Sequence, residues 1–200
     1  MRVVVAEGDG GQAGTANAHR AVIGRQGLAG NESAVRDICL NYVEAQFTYL
    51  RAGHGENGRL VFAQKIRSSP GRRDGLFWPQ NDTADESPMG PRFAAAAIAE
   101  DPAGARPWFG YYFKILLTQA PPVTGGERDY RVDGRLIGGF ALIAWPAEHG
   151  VTGVRSFVVS HLGDVYAKDL GADTHRAALG MTAFAPDRSW KKIASTADDE

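Results

Sequence analysis

A chain of 200 residues, 44% of them hydrophobic, can bury a full core and reads as one domain with decorations. A net charge of -1 with scattered Lys and Arg gives no electrostatic case for a nucleic-acid or acidic-membrane partner. A single cysteine excludes an intrachain disulfide, and no apolar run approaches transmembrane length.

Residues 1–30 carry little pattern: a run of Val3, Val4 and Val5, then GDGGQAGTANAH, then RAVIGRQGLAG. They are read as an edge strand, a turn-rich segment and one helical turn, together a poorly ordered N-terminal extension. The opening MRVVVAEGDG holds no signal-peptide core, so as written the chain reads as untargeted.

The stretch NESAVRDICLNYVEAQFTYLR, residues 31–51, is the element around which the rest of the chain is organised. On a helical wheel Val35, Ile38, Tyr42, Ala45 and Tyr49 form one apolar stripe, with Leu40, Val43, Phe47 and Leu50 beside it. Only Asp37, Asn41, Glu44, Thr48 and Arg51 remain as a polar back. Such a helix must be enclosed on several sides, and Cys39 is a small core residue of it. Asn31 is the expected N-cap, and the turn formers from Gly53 to Gly58 must end the helix.

That loop offers only Glu56 and the Asn57 amide toward a cation, too few for calcium. Val61, Phe62 and Ile66 then suit a short helix or a strand. Residues 68–92 are irregular, and their Leu76-Phe77-Trp78 cluster is expected to pin the loop to the core, an exposed binding aromatic being the alternative. Residues 80–87 read as mobile, and residues 91–100 as a short helix led by proline.

The sheet comes next. Tyr111, Phe113, Ile115 and Leu117 alternate with Tyr112, Lys114, Leu116 and Thr118 as a strand, and Asp133-Gly134 signals a two-residue hairpin. Residues 139–145 are apolar on both faces and belong in the sheet centre, with the last two strands at residues 154–160 and 165–168. A terminal helix is expected over residues 173–181, and Phe184 and Trp190 would dock the tail. The layout is α+β, a long central helix packed on an antiparallel meander, with residues 31–192 as the domain and 193–200 as a frayed acidic tail.

Strong catalytic motifs are absent: no GxSxG, GxxxxGK[ST], HExxH, CxxC, or GxGxxG opening a helix. No cofactor or metal is indicated. The nearest acid-base group is Glu148 with His149 at a strand end, with His161, Asp164, Lys168 and Asp169 in or near neighbouring strands. A solvated turn is the favoured reading of that group. His19, His54 and His175 lack metal-ligand spacing. The aromatic run FGYYF lacks the basic and small residues of an RNA-recognition strand, so core packing accounts for it better.

Five blocks, NESAVRDICLNYVEAQFTY, SSPGRRDGLFWP, GYYFKILLTQ, the long VDGRLIGGFALIAWPAEHGVTGVRSFVVSHLGDVYAKDLG and MTAFAPDRSWK, resemble a bacterial family known as domain of unknown function 2950. The resemblance implies no assigned activity. It implies exported proteins, periplasmic or secreted, with a signal peptide and an additional N-terminal region, and this chain departs from that in its short, signal-free start. It also departs where relatives carry an acidic DxDxDG-like run, which residues 52–58 here replace with one carboxylate. A looser similarity of layout is to the globular domains of type IV pilin-like proteins, without the long apolar half-helix through which pilins polymerise.

Together these readings predict a non-catalytic extracytoplasmic module, binding or structural, for an unknown protein or envelope partner, with Arg73, Asp74, Phe77 and Trp78 as candidate binding residues. The alternative is a hydrolase-like enzyme using Glu148 and His149 with His161, Asp164 and Lys168. A third reading is a domain stabilised by a cation.

Overall fold

A helix with two apolar stripes needs cover on more than one side, and the sheet provides most of it. The computed structural model describes residues 11–55, 58–78, 86–90 and 107–196, with side chains from residue 27 onward. Helix α1 spans Gly11–Ala52. Val35, Ile38, Tyr42, Ala45 and Tyr49 are at most 5% exposed, whereas Asp37, Asn41, Glu44, Thr48 and Arg51 face solvent. The wheel's two sides are therefore the helix's buried and solvated sides. Gly53, in the left-handed region at φ 66°, ends the helix and donates its N–H to Leu50 O at 3.1 Å.

Upstream the structure departs from the expected turn-rich segment and from the N-cap at Asn31. The alanines, glutamines and arginines between Gly11 and Gly27 are strong helix formers and carry the helix through the glycines. The break falls at Gly27 (φ 67°, ψ 171°), four residues before Asn31. Asn31 lies inside the helix, buried, and its Nδ2 donates to Thr152 O at 2.9 Å. Glu32 joins the same end of the helix to the sheet: it accepts the Val154 and Arg155 N–H groups at 3.0 and 2.9 Å and the Arg155 Nε at 2.7 Å.

The strands are β1 Tyr111–Leu116, β2 Thr118–Gln119, β3 Arg128–Asp129, β4 Arg131–Val132, β5 Arg135–Leu136, β6 Ala141–Pro146, β7 Arg155–Ser160 and β8 Asp164–Asp169. Helix α2 Thr174–Gly180 and strands β9 Ala183–Phe184 and β10 Lys191–Ser195 complete the chain. The main sheet is antiparallel, in the order β1-β6-β7-β8-β10. This is the expected α+β arrangement.

Neighbouring residues of a strand point to opposite faces, which shows what covers each face. Tyr111 lies against Phe157 beneath α1, while Tyr112 packs against Trp145 and against His175 of α2. With helices on both faces, every residue of β6 is buried, as its two-sided apolar sequence implies. On the α2 side Lys114 Nζ donates to the carbonyls of Ala178, Leu179 and Met181 at 3.0, 2.7 and 2.6 Å, closing the C-terminal end of that helix.

The predicted hairpin forms, with Asp133 and Gly134 both at positive φ (51° and 73°) between β4 and β5. This is the turn that suits a right-handed strand twist. Two expectations need correction. Residues 60–66 form neither helix nor strand, because their backbone groups bond elsewhere: Phe62 N–H to Leu136 O at 2.8 Å, and Ala63 to the buried Gln46 amide. Gln46 Oε1 accepts the Ala63 N–H at 2.8 Å and its Nε2 donates to Ala63 O at 2.9 Å, so a side chain stands in for a paired strand. Nor does the sheet end at β8. Phe184 and Trp190 are buried as expected, but β10 then returns to pair with β8, and α2 is not terminal. The lysines of β10 suit an exposed edge strand, which is why apolar alternation does not reveal it. The expected helix over 91–100 lies outside the described residues, as does nearly all of the segment read as mobile.

Candidate functional site

The acid-base residues lie at two ends of the same strand pair. His149 Nε2 meets Asp169 Oδ1 at 2.7 Å beside the end of β8, and Asp169 also accepts the Gly171 N–H at 2.8 Å. Those two bonds, the backbone one foremost, hold the Asp169 carboxyl below its ordinary pKa. Glu148 is exposed, and its backbone N–H is engaged by Thr152 Oγ1 at 3.1 Å.

Asp164 opens β8, five residues from Asp169, a separation of about 16 Å along a strand. It binds Lys192 Nζ and Ser195 Oγ, each at 2.8 Å, and so fastens β10 to the sheet. His161 sits near Asp164, its ring packed on Tyr130 and Phe140, and burial pushes its imidazole pKa down. Lys168 Nζ lies 5.9 Å above the Trp190 ring. Among the described residues, none of Glu148, His149, His161, Asp164 and Lys168 bonds to another of the five, and the side-chain partner of His149 is Asp169.

The irregular loop is held firmly. Lys65 Nζ pairs with Asp74 Oδ2 at 3.0 Å, Asp74 Oδ1 accepts the Ser69 N–H at 2.7 Å, and Tyr49 Oη donates to Arg73 O at 2.9 Å. Burial raises the Asp74 pKa, but the bonds from Ser69 and Lys65 outweigh it and leave the carboxyl below its ordinary value. Gly75 admits no side chain, since a Cβ there would stand 2.8 Å from Arg67 C and Ser68 N. Leu76, Phe77 and Trp78 are buried, so Phe77 and Trp78 pack in the core rather than present an aromatic face. Of the four expected binding residues, Arg73 is exposed, with its guanidinium 5.7 Å from the Trp78 ring, and Asp74 reaches a cavity.

That cavity has a volume of about 460 Å³, within the range of small-molecule sites. Its walls come from the end of α1 and the loop after it, from the clamped 59–65 segment, from Asp74 and from the β4–β5 turn. One side carries the His54 ring, which lies tilted against Tyr49 at 5.0 Å and edge-on to Trp78 at 5.1 Å. The hairpin is tied to the facing wall by Phe62 N–H to Leu136 O and by Gln64 Nε2 to Gly134 O at 3.0 Å. Charged groups on its lining are Arg59, Lys65, Arg135 and Asp74.

Among the described residues no group of three or more His, Cys, Asp or Glu side chains is placed to hold a metal ion. No helix among them is long and apolar enough to cross a membrane. Burial raises the Cys39 thiol pKa to about 12, which leaves it an inert core residue.

A family model described as a protein of unknown function (DUF2950) matches residues 4–193. The chain belongs to that family. No curated protein and no solved structure matches it, so the similarity of layout to pilin-like domains finds no counterpart there. The description of DUF2950 names no activity.

Sequence reasoning placed Asp74 in a candidate binding region but missed Arg59, Lys65, His54 and Arg135 in this DUF2950 chain. The Gly-rich loop at residues 53–58 and the Asp-Gly hairpin were legible as turns. Their convergence depends on Gln46 gripping Ala63 and on Phe62 bonding Leu136, which no local pattern encodes.

Proposed function

We propose that this domain is a non-catalytic extracytoplasmic binding module that uses the cavity beside the 68–78 loop. The observation that carries the reading is the preformed cavity of about 460 Å³, whose walls are cross-tied by backbone and side-chain hydrogen bonds and lined by mixed aromatic and charged groups. Cross-tied walls lower the ordering cost of capture. The extracytoplasmic location rests on family resemblance.

The hydrolase alternative needs a nucleophile or water held against an oriented base in a cleft. The His149–Asp169 pair supplies a base and its orienting carboxylate, but Glu148 points to solvent, and His161 and Asp164 serve packing and strand pairing at the far end of β8.

The test is a small-molecule panel monitored by protein amide NMR and by compound consumption in the same tube. A binding module shifts amides around Tyr49, His54 and Gly134 and leaves every compound intact. Consumption of a compound that stops in a His149→Asn variant would overturn the reading in favour of the enzyme.

A further inference from the structure

We propose that the cavity selects a small organic anion, with a carboxylate or phosphate received between Arg59 and Arg135 and the ligand's less polar face laid against the His54 ring. The proposal rests on the binding-module reading and adds the ligand's charge class to it.

The charge count is the starting point. Among the described lining residues three cations, Arg59, Lys65 and Arg135, face one carboxylate, Asp74. Asp74 is already committed to Lys65 at 3.0 Å and to the Ser69 N–H and hydroxyl at 2.7 and 2.9 Å. That pair is neutral as a unit, which leaves the two arginines. Arg135 has a weak internal partner, Asp133 at 3.3 Å with its side chain 80% exposed, an arrangement that water competes with readily. Arg59 forms no ion pair among the described residues. Two guanidinium groups thus line a concave surface with no buried counter-charge between them among the described residues, and a cleft with low-dielectric walls focuses such a field on whatever enters.

Guanidinium geometry narrows the class further. Each presents a planar fork that matches a carboxylate or phosphate edge with two parallel hydrogen bonds. The backbone fixes where the forks originate. Arg59 precedes the segment clamped at Ala63 by Gln46, and Arg135 follows the Gly134 carbonyl that Gln64 holds at 3.0 Å. On the same lining the buried ring of Tyr49, anchored by its hydroxyl on Arg73 O at 2.9 Å, backs the half-buried ring of His54 at 5.0 Å with the two planes 42° apart, so His54 is the ring that a carbon skeleton would meet.

The experiment uses the full chain, isotope-labelled, titrated with D-glucuronate, with inorganic phosphate and with D-glucose as the neutral twin, at low and high salt. The variants are Arg59→Gln and Arg135→Gln, with Arg176→Gln, 82% exposed on α2, as the control. The expected result is that glucuronate or phosphate moves the amides of His54, Lys65 and Arg135, that glucose does not, and that affinity falls with salt. Each cavity variant should weaken binding by about tenfold or more, the loss of a charge-assisted hydrogen bond, while the control changes nothing. Phosphate binding without glucuronate supports the anion assignment and selects the phosphate class. Glucose binding at the cavity as well as glucuronate does overturns the anion assignment and leaves the binding module standing. Anion shifts that survive both cavity variants overturn the assignment of the two arginines, and shifts that map away from the cavity with every probe overturn both readings.

Discussion

Replacing Glu32 tests the argument that one carboxylate joins the start of the buried helix segment to the sheet. Its side chain is 11% exposed and is met by four donors: the Val154 and Arg155 N–H groups at 3.0 and 2.9 Å, and the Arg155 Nε and Nη2 at 2.7 and 2.6 Å. Glu32→Ala strands two backbone donors at about 1 kcal/mol each. The lost ion pair adds about 1 kcal/mol or less, because the Arg155 side chain is 46% exposed and regains water. The expected loss is therefore about 2–3 kcal/mol. Glu32→Gln keeps an oxygen for both N–H groups and loses only the charged part, about 1 kcal/mol.

The assay is urea unfolding followed by tryptophan fluorescence, with equal slopes required before midpoints are compared. Burial raises the Glu32 pKa, but the Arg155 and Val154 bonds outweigh it and hold the carboxyl below its ordinary value. Its contribution is then present above the ordinary carboxylate pKa and fades as pH falls through the lowered one, so the difference between wild type and Glu32→Gln should shrink in acid. Equal losses for Ala and Gln, or an Ala loss under about 0.5 kcal/mol, would refute the account of the stranded donors.

Two further outcomes are expected. Lys114→Met keeps the apolar stem but removes three bonds to the carbonyls of Ala178, Leu179 and Met181. It should cost about 1.5–3 kcal/mol and lower amide-exchange protection in α2 more than in β7, as measured by hydrogen exchange. His161 is held neutral by burial, with its Nδ1 buried and without a hydrogen-bond partner. Its folded pKa lies below the unfolded one, so the unfolded chain binds the proton more readily and stability falls as pH drops from about 7 to 5. His161→Phe should flatten that part of the urea-midpoint profile, and an unchanged slope would show that other groups set it.

How far the sequence could be read depended on whether a pattern was local. The polar back of α1, the Asp133-Gly134 turn and the two-sided apolar β6 were legible because helical period, positive φ and burial on both faces each leave a short-range mark. The N-terminal extent of α1 is hidden in the sequence because its glycines signal turns while the helix formers among them carry the helix through. Strand β10 escapes a sequence reading because an edge strand with lysines carries no apolar alternation, and its backbone pairing with β8 is reinforced by Asp164, a candidate base in the sequence.

The candidate site divides in the same way. Glu148 and His149 adjoin in sequence at a strand end, yet adjacency in a chain does not bring side chains onto one substrate, and His161 and Asp164 are a strand length away. The cavity has the opposite character. Residues from 49 to 135 line it, and it exists only because a glutamine amide grips the backbone at Ala63 and a hairpin is tied across to residues 62 and 64. From the sequence alone came the α+β class, the enclosed helix and membership expectations carried by five ordered blocks. Only the tertiary structure decided where the charges meet, because electrostatic fields and hydrogen bonds depend on distance through space and not along the chain.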